Sequence, residues 1–221
     1  MNRCKQSSYN FCSIIDFEDS FTYNLAGEIY RRGVPVEVVS LSNAEAFLQQ
    51  LATEKMSQSR RVLLYGPGPG HPDDYEYLYP AIRAVLGSSD ILHFGVCLGH
   101  QLLWRVIAGY PVRPSRRPLH GQAVSFVIPS WLDIFLPEQV GMRELVQRYN
   151  SLVLEVPAEV SVERRNNFAF ADGECIAGRW DRGVTYQFHP ESVGTAHPQV
   201  FLGVIERYLY NYSSDWHSND K

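Results

Sequence analysis

The stretch HFGVCLGHQLL, His93 to Leu103, runs from an apolar strand through a cysteine set between Gly95 and Gly99 and into the first turns of a helix. A nucleophile-type residue at a strand-to-helix corner has the pattern of the G-x-S-x-G elbow, with sulfur in place of oxygen. Glycines on either side remove the Cβ atoms that a sharp corner and a close substrate would meet. A helix beginning at Leu98 turns its unpaired N–H groups and positive dipole end toward the sulfur, which favours the reactive thiolate. A lone cysteine is also an ordinary small core residue. On this stretch alone, packing and chemistry both remain open.

Outward from that corner, the chain alternates. FCSIID (Phe11–Asp16), VPVEVVS, RVLLY and ILHFGV read as strands. Between them lie helical stretches: FTYNLAGEIYRR, capped by Asp19 or Ser20 and stopped by Gly33; AEAFLQQLA, capped by Asn43; and a segment around Glu76 to Leu86. LGHQLLWRVIAG follows the fourth strand as a fourth helix. Such alternation predicts an α/β fold with a mostly parallel sheet flanked by helices. GQAVSFVIP, LVLEVP, FAFADGECIAGRWDRG and VTYQFHP then predict a smaller, partly antiparallel β portion in the second half, before HPQVFLGVIERYLYNY returns to helix. No linker interrupts the pattern, so one domain over residues 11–212 is expected, with polar tails at 1–10 and 213–221.

Composition narrows the function classes. Across 221 residues, 45% are hydrophobic and 20% charged, enough for a sizeable core in an ordinary globular mixture. A formal charge of −4, with the paired arginines scattered among acids, gives no electrostatic reason to expect nucleic acid. No apolar run reaches membrane-span length, and MNRCKQSSYN lacks the apolar stretch of a signal peptide. Cys4, Cys12, Cys97 and Cys175 show no CxxC spacing, which fits a reducing, cytoplasmic setting. The histidines form no HxH or HExxH pair, so no metal site is expected.

Two further loops ask for related chemistry. YGPGPGHP, Tyr65 to Pro72, offers N–H donors at Gly66, Gly68 and Gly70, stiffened by prolines that have none. If the segment is extended, Gly68 and Gly70 aim together at an oxyanion or carboxylate; an ordinary tight turn is the alternative. TYQFHPES, Thr185 to Ser192, places His189 and Glu191 two apart across Pro190. In extended backbone the two share a side, so the carboxylate can orient the imidazole as a base. Nucleophile, oxyanion donors, base and orienter thus all lie at or beyond predicted strand ends.

GVCLGHQ, GPGPGHP and QFHPES together resemble the signature segments of the class I, triad-type glutamine amidotransferases, in order and rough spacing. DFEDSFTYNL and RYNSLVLEVP are similar to the glutaminase components of anthranilate and aminodeoxychorismate synthases. The resemblance implies a flavodoxin-like architecture and a catalytic triad of Cys97, His189 and Glu191. It implies an oxyanion hole from the N–H groups of Gly68 and Leu98. Gly70, Gln101, Ser151 and Leu152 would surround L-glutamine, the last two mainly through main-chain groups. It also implies a chorismate-using synthase partner that receives the ammonia and holds any magnesium, leaving this chain without a cofactor. Contact through the active-site face, including Ser20 to Asn24, would follow. Rival readings are a γ-glutamyl hydrolase, another amidotransferase, or a non-catalytic assembly module; the intact triad argues against the last. Departures from the family pattern fall at Phe17-Glu18, at Gln122 and at Asn150. His120 is either a substrate-proximal polar group or a surface or packing residue.

Overall fold

The computed structural model describes residues 10–54, 59–132 and 137–211. Its centre is a seven-stranded sheet. β1 (Phe11–Asp16), β2 (Val36–Ser40), β3 (Arg61–Tyr65) and β4 (Ile91–Val96) are the four strands expected in the first half. The rest come from β9 (Phe168–Ala171), β10 (Glu174–Trp180) and β11 (Gly183–Tyr186), giving the order β2-β1-β3-β4-β11-β10-β9. The first five in that order are parallel neighbours, and β10 runs antiparallel to both β11 and β9. Asp172 and Gly173, both at positive φ (52° and 75°), turn β9 into β10, as a two-residue hairpin of matching twist requires.

Of the parallel strands, β1, β3, β4 and β11 are buried on both faces, β2 at the edge only partly, and the side chains of the central strands divide accordingly. Val62 and Leu64 of β3 join Leu92, Phe94 and Val96 of β4 in one core. That core is shared with α1 (Thr22–Arg31) and with a later helix, α6, at Pro198–Glu206. Leu63 and Tyr65 face the opposite core, closed by α2 (Leu41–Thr53), α3 (Tyr79–Leu86) and α4 (Leu98–Ala108). Two small antiparallel sheets complete the second half: β5 (Val112–Pro114) with β8 (Leu152–Leu154), and β6 (Gln122–Val127) with β7 (Arg143–Arg148). A single helical turn, α5, spans Val162–Arg165.

Several local expectations change. Asn43 is not a cap: α2 already begins at Leu41 behind Ser40, and the Asn43 side chain reaches back to the Ser40 hydroxyl at 3.0 Å. The residue preceding α1 is Phe21, so neither Asp19 nor Ser20 occupies the cap position. Asp19 instead holds the approach, its carboxylate accepting from the Phe21 N–H at 2.8 Å. The helix expected around Glu76 is two elements, a 3₁₀ stretch over Pro72–Leu78 followed by α3. The expected polar tails, apart from Asn10, lie outside the described residues. Among the described residues, no helix is long and apolar enough to cross a membrane.

In an open sheet of this winding, the crevice lies beyond the carboxyl ends of the strands. The chain leaves β1 into Phe17–Phe21, β3 into Gly66–Gly70, β4 into Cys97 and β11 into Gln187–Glu191. All four loops therefore open at the same edge.

Candidate active site

Cys97 sits at φ 54°, ψ −104°, between the end of β4 and the start of α4. A non-glycine residue at positive φ is strained, and the surroundings hold this one in place. Its N–H donates to the Tyr186 carbonyl at 2.8 Å, tying the corner to β11. The flanking glycines are required by packing. A Cβ on Gly99 would stand 2.0 Å from the Tyr65 carbonyl oxygen, and one on Gly95 would stand 2.8 Å from the Gly99 carbonyl oxygen. Gly99→Ala is therefore expected to destabilise the fold by ~1–3 kcal/mol or more through overpacking. Gly87→Ala, where a Cβ meets nothing within 4 Å, is the control. Thermal unfolding of the two variants measures the difference.

The corner opens into a cleft of about 180 Å³. Cys97, Leu98, Gly68, Gly70, Gln101, Ser151 and Leu152 all line it, as do Pro69 and Tyr149, which were not among the expected site residues, and Asn150, noted only as a departure from the family pattern. Leu98 is the first residue of α4, where an N–H has no acceptor within its own helix. Gly68 is pressed close to it: an added Cβ would lie 2.5 Å from both the Leu98 and the Phe17 side chains. The loop is not the extended strip of aligned donors expected from its sequence. The Gly66 N–H is already spent on the Ile15 carbonyl at 3.1 Å, and Gly70 turns at φ 78°. Gly68 remains at the cleft beside Leu98.

His189 is 2% exposed and lies behind the cleft wall. Its N–H donates to the Gln147 carbonyl at 2.9 Å, an isolated bridge that anchors the loop to β7. Backbone beyond it turns rather than extending, with the Ser192 N–H returning to the His189 carbonyl at 3.2 Å. The expected pairing still forms, with His189 Nδ1 2.8 Å from Glu191 Oε1. Nε2 is buried and makes no hydrogen bond of standard geometry, which leaves it for the sulfur; such contacts are commonly long until substrate is bound. Burial works against charge on this ring. The Cys97 sulfur and the Glu191 carboxylate outweigh burial, so its pKa stands well above the usual histidine value. The pair thus favours an imidazolium held beside sulfur.

Two aromatic rings hold the imidazole in place. Phe21 lies 5.0 Å from it and Tyr149 meets it edge-on at 5.1 Å. Phe21 reaches this position because Asp16 and Asp19 tighten the turn after β1. Asp16 Oδ1 accepts from Thr22 Oγ1 at 2.8 Å and from the Glu18 N–H at 2.9 Å, with Glu18 at φ 65°. Neither ring has a short-range sequence signal, since the contacts join segments far apart along the chain.

The remaining wall follows from strand register. Ser115 N–H donates to the Ser151 carbonyl and Glu155 N–H to the Pro111 carbonyl. These pairs point the backbone polar groups of Leu152 away from β5 and toward the cleft side. There the Leu152 carbonyl accepts from Gln101 Nε2 and from Asn150 Nδ2, both at 2.9 Å. Asn150 in turn receives Arg148 Nε at 3.0 Å, and Arg148 pairs with Glu174 at 2.6 Å inside the protein. The departure at Asn150 is thus a buried structural link. Phe17 is buried under Gly68 and against Tyr75, while Glu18, Gln122 and His120 are exposed and do not line the cleft. Among the described residues, no group of three metal-ligating side chains is placed to hold an ion.

Comparisons with known proteins converge on one family. The model described as "Glutamine amidotransferase class-I" matches residues 13–204. The chain is 34% identical over 194 residues to "Anthranilate synthase component 2, pyocyanine specific" of Pseudomonas aeruginosa, covering 86% of this chain and 90% of that relative. It is 33% identical over 184 residues to "Anthranilate synthase component 2" of Lactococcus lactis, covering 82% and 86%. Among solved structures, a glutamine amidotransferase from Thermotoga maritima superposes with a TM-score of 0.64 at 16% identity, over 90% of this chain and 82% of that one. A glutamine amido transferase from Methylobacillus flagellatus gives 0.54 at 18% identity, over 84% and 72%. These two likenesses concern the fold.

Proposed function

Because the chain belongs to the class I glutamine amidotransferase family, we propose that its cleft hydrolyses L-glutamine and that the ammonia passes to a chorismate-using synthase partner. The observation that carries this is the convergence of a strained, cleft-facing Cys97 with a buried His189–Glu191 pair. On this reading, the Cys97 thiolate attacks the side-chain amide carbon of glutamine. The oxyanion that forms is met by the N–H groups of Gly68 and Leu98, preset at the cleft. His189 gives its proton to the leaving nitrogen, so ammonia departs and a γ-glutamyl thioester remains on Cys97. His189, neutral now, takes a proton from water, whose oxygen attacks the thioester; glutamate leaves and the thiolate returns. Glu191 keeps the ring oriented throughout and balances its charge while it is protonated.

Gly70, Gln101, Ser151 and Leu152 hold the substrate on this reading. Gln101 does so through its Oε1, because both of its amide hydrogens are already engaged. Ser151 and Leu152 contribute through N–H groups, because both carbonyls are taken.

The synthase partner is supported by the relatives, which carry the name anthranilate synthase component 2. Ammonia in neutral water is mostly ammonium, which is no nucleophile, so hydrolysis serves synthesis when the two sites are joined. Ser20, Tyr23 and Asn24 are exposed around Phe21, whose ring lies against His189, and on this reading they provide a contact surface. Magnesium is assigned to that partner and the complex to the cytoplasm. The test is to isolate the chain with its synthase and follow amide-labelled glutamine and chorismate. The expected result is labelled nitrogen in anthranilate or aminodeoxychorismate. Hydrolysis with no labelled aromatic product would overturn the partner assignment.

A further inference from the structure

We infer that Gln101 and Gln187 form an amide relay that keeps an N–H donor on the Cys97 sulfur, with Gln187 as the donor and Gln101 as the residue that fixes its direction. This rests on the proposed role of Cys97 as nucleophile.

The directions of the two amides follow from the backbone. The Leu152 carbonyl can only accept, so the Gln101 atom 2.9 Å from it is Nε2. That same nitrogen lies 2.8 Å from Gln187 and spends its second hydrogen there, so the facing atom of Gln187 is Oε1. Turned this way, Gln187 presents Nε2 to Cys97 Sγ at 3.7 Å, within reach for sulfur. Gln187 is fully buried and Gln101 is 3% exposed, so little water is at hand to replace any member of the chain.

A thiolate accepts a hydrogen bond far better than a thiol, so this donor favours the charged nucleophile. A flipped Gln187 would instead aim an oxygen at the sulfur and oppose the negative charge. Gln101 prevents the flip, and the Leu152 carbonyl, steadied by Asn150 Nδ2, prevents Gln101 from flipping in turn. The Gln101 side chain at the substrate wall therefore sets the electrostatics at the nucleophile without bonding the sulfur, its backbone N–H meeting only the Cys97 carbonyl at 3.3 Å.

The probe is iodoacetamide, with modification of Cys97 followed by mass spectrometry at neutral pH, beside kcat and KM for glutamine hydrolysis. Gln187→Met keeps length and burial but removes the donor. Alkylation rate and kcat are expected to fall about tenfold or more, with KM within about twofold. Gln101→Met is the decisive variant: alkylation of Cys97 should slow although the probe offers no amino-acid group to recognise.

A wild-type alkylation rate in Gln187→Met overturns the relay. So does a Gln101→Met variant that loses glutamine use but alkylates normally, because Gln101 is then a binding residue alone. Should Gln187→Met not fold, as thermal melting reports, Gln101→Met decides the question. Glutamine hydrolysis persisting in Cys97→Ser would strike at the nucleophile itself, a failure distinct from that of the relay.

Discussion

Cys97→Ser is expected to abolish glutamine-dependent synthesis by the complex while ammonia-dependent synthesis continues. Serine preserves the corner geometry, so the fold and the partner surface stay intact. What changes is the chemistry. A hydroxyl holds its proton far more tightly than a thiol, and an ester is a poorer acyl donor to water than a thioester. Removing a nucleophile that acts as a unit with its base commonly costs ~10³-fold or more in kcat. Steady-state assays with glutamine and with ammonium salts, on the same preparation, read the two activities separately. Loss of both together would point to a damaged complex, and retention of both would remove Cys97 from the mechanism. A glutamine-analogue electrophile gives an independent check, since it should modify Cys97 ahead of Cys12 and Cys175. Those two are buried, and burial pushes their thiols up and away from the reactive form.

Arg148→Leu is expected to be the most destabilising substitution outside the corner. The Arg148 and Glu174 side chains are 1% and 5% exposed and 2.6 Å apart. Glu174 also accepts from Ser115 Oγ at 2.7 Å and from the Arg116 N–H at 3.0 Å. Removing one partner of a buried pair strands the other charge, at ~3–5 kcal/mol. For a chain of this size that corresponds to a melting temperature lower by roughly 6–20 °C. The pH dependence carries a sign. Burial works against the Glu174 charge, but Arg148 and the other donors prevail and hold its carboxyl below the usual value. A depressed folded pKa contributes stability above the unfolded value, and that contribution is lost as pH falls through the folded one. The gap between wild type and Arg148→Leu should therefore be widest near neutrality and narrow in acid below about pH 4. Melting curves across pH test this; a gap that widens in acid would contradict it. Because Arg148 also holds Asn150, and Asn150 the Leu152 carbonyl, KM for glutamine should rise in the same variant.

The parts of this site visible in the sequence are those encoded by neighbours. Gly95-Val-Cys97-Leu-Gly99 announces a corner, because two glycines around a nucleophile have a steric reason that the structure bears out at Tyr65. Strands buried on both faces are visible because they read as mostly apolar runs, broken only by single residues such as Ser13 and His93. β7, RELVQR, is not: with one face in solvent and charges at its ends, it carries no such run. His189 and Glu191 do meet, but through a turn rather than extended backbone. Gly70 departs from the extended pattern for a similar reason, since positive φ is open to glycine and leaves no mark on the spacing. Phe21, Tyr149 and Gln187 escape a reading of the sequence as site residues because their roles exist only across the fold. Ring contacts from the start of α1 to the loop after β11, or an amide 90 positions from the cysteine it touches, have no local periodicity to reveal them.

The nitrogen of the strained cysteine is bonded to the carbonyl of the adjacent central strand. The reactive residue is thereby anchored like an anvil to the hydrogen-bonded centre of the sheet. Whatever opening and closing a turnover requires must fall to the rim, where Pro69, Gly70 and Ser151 lie exposed. Evolution can therefore reshape the doorway, and with it the choice of client, without retuning the hammer stroke beneath.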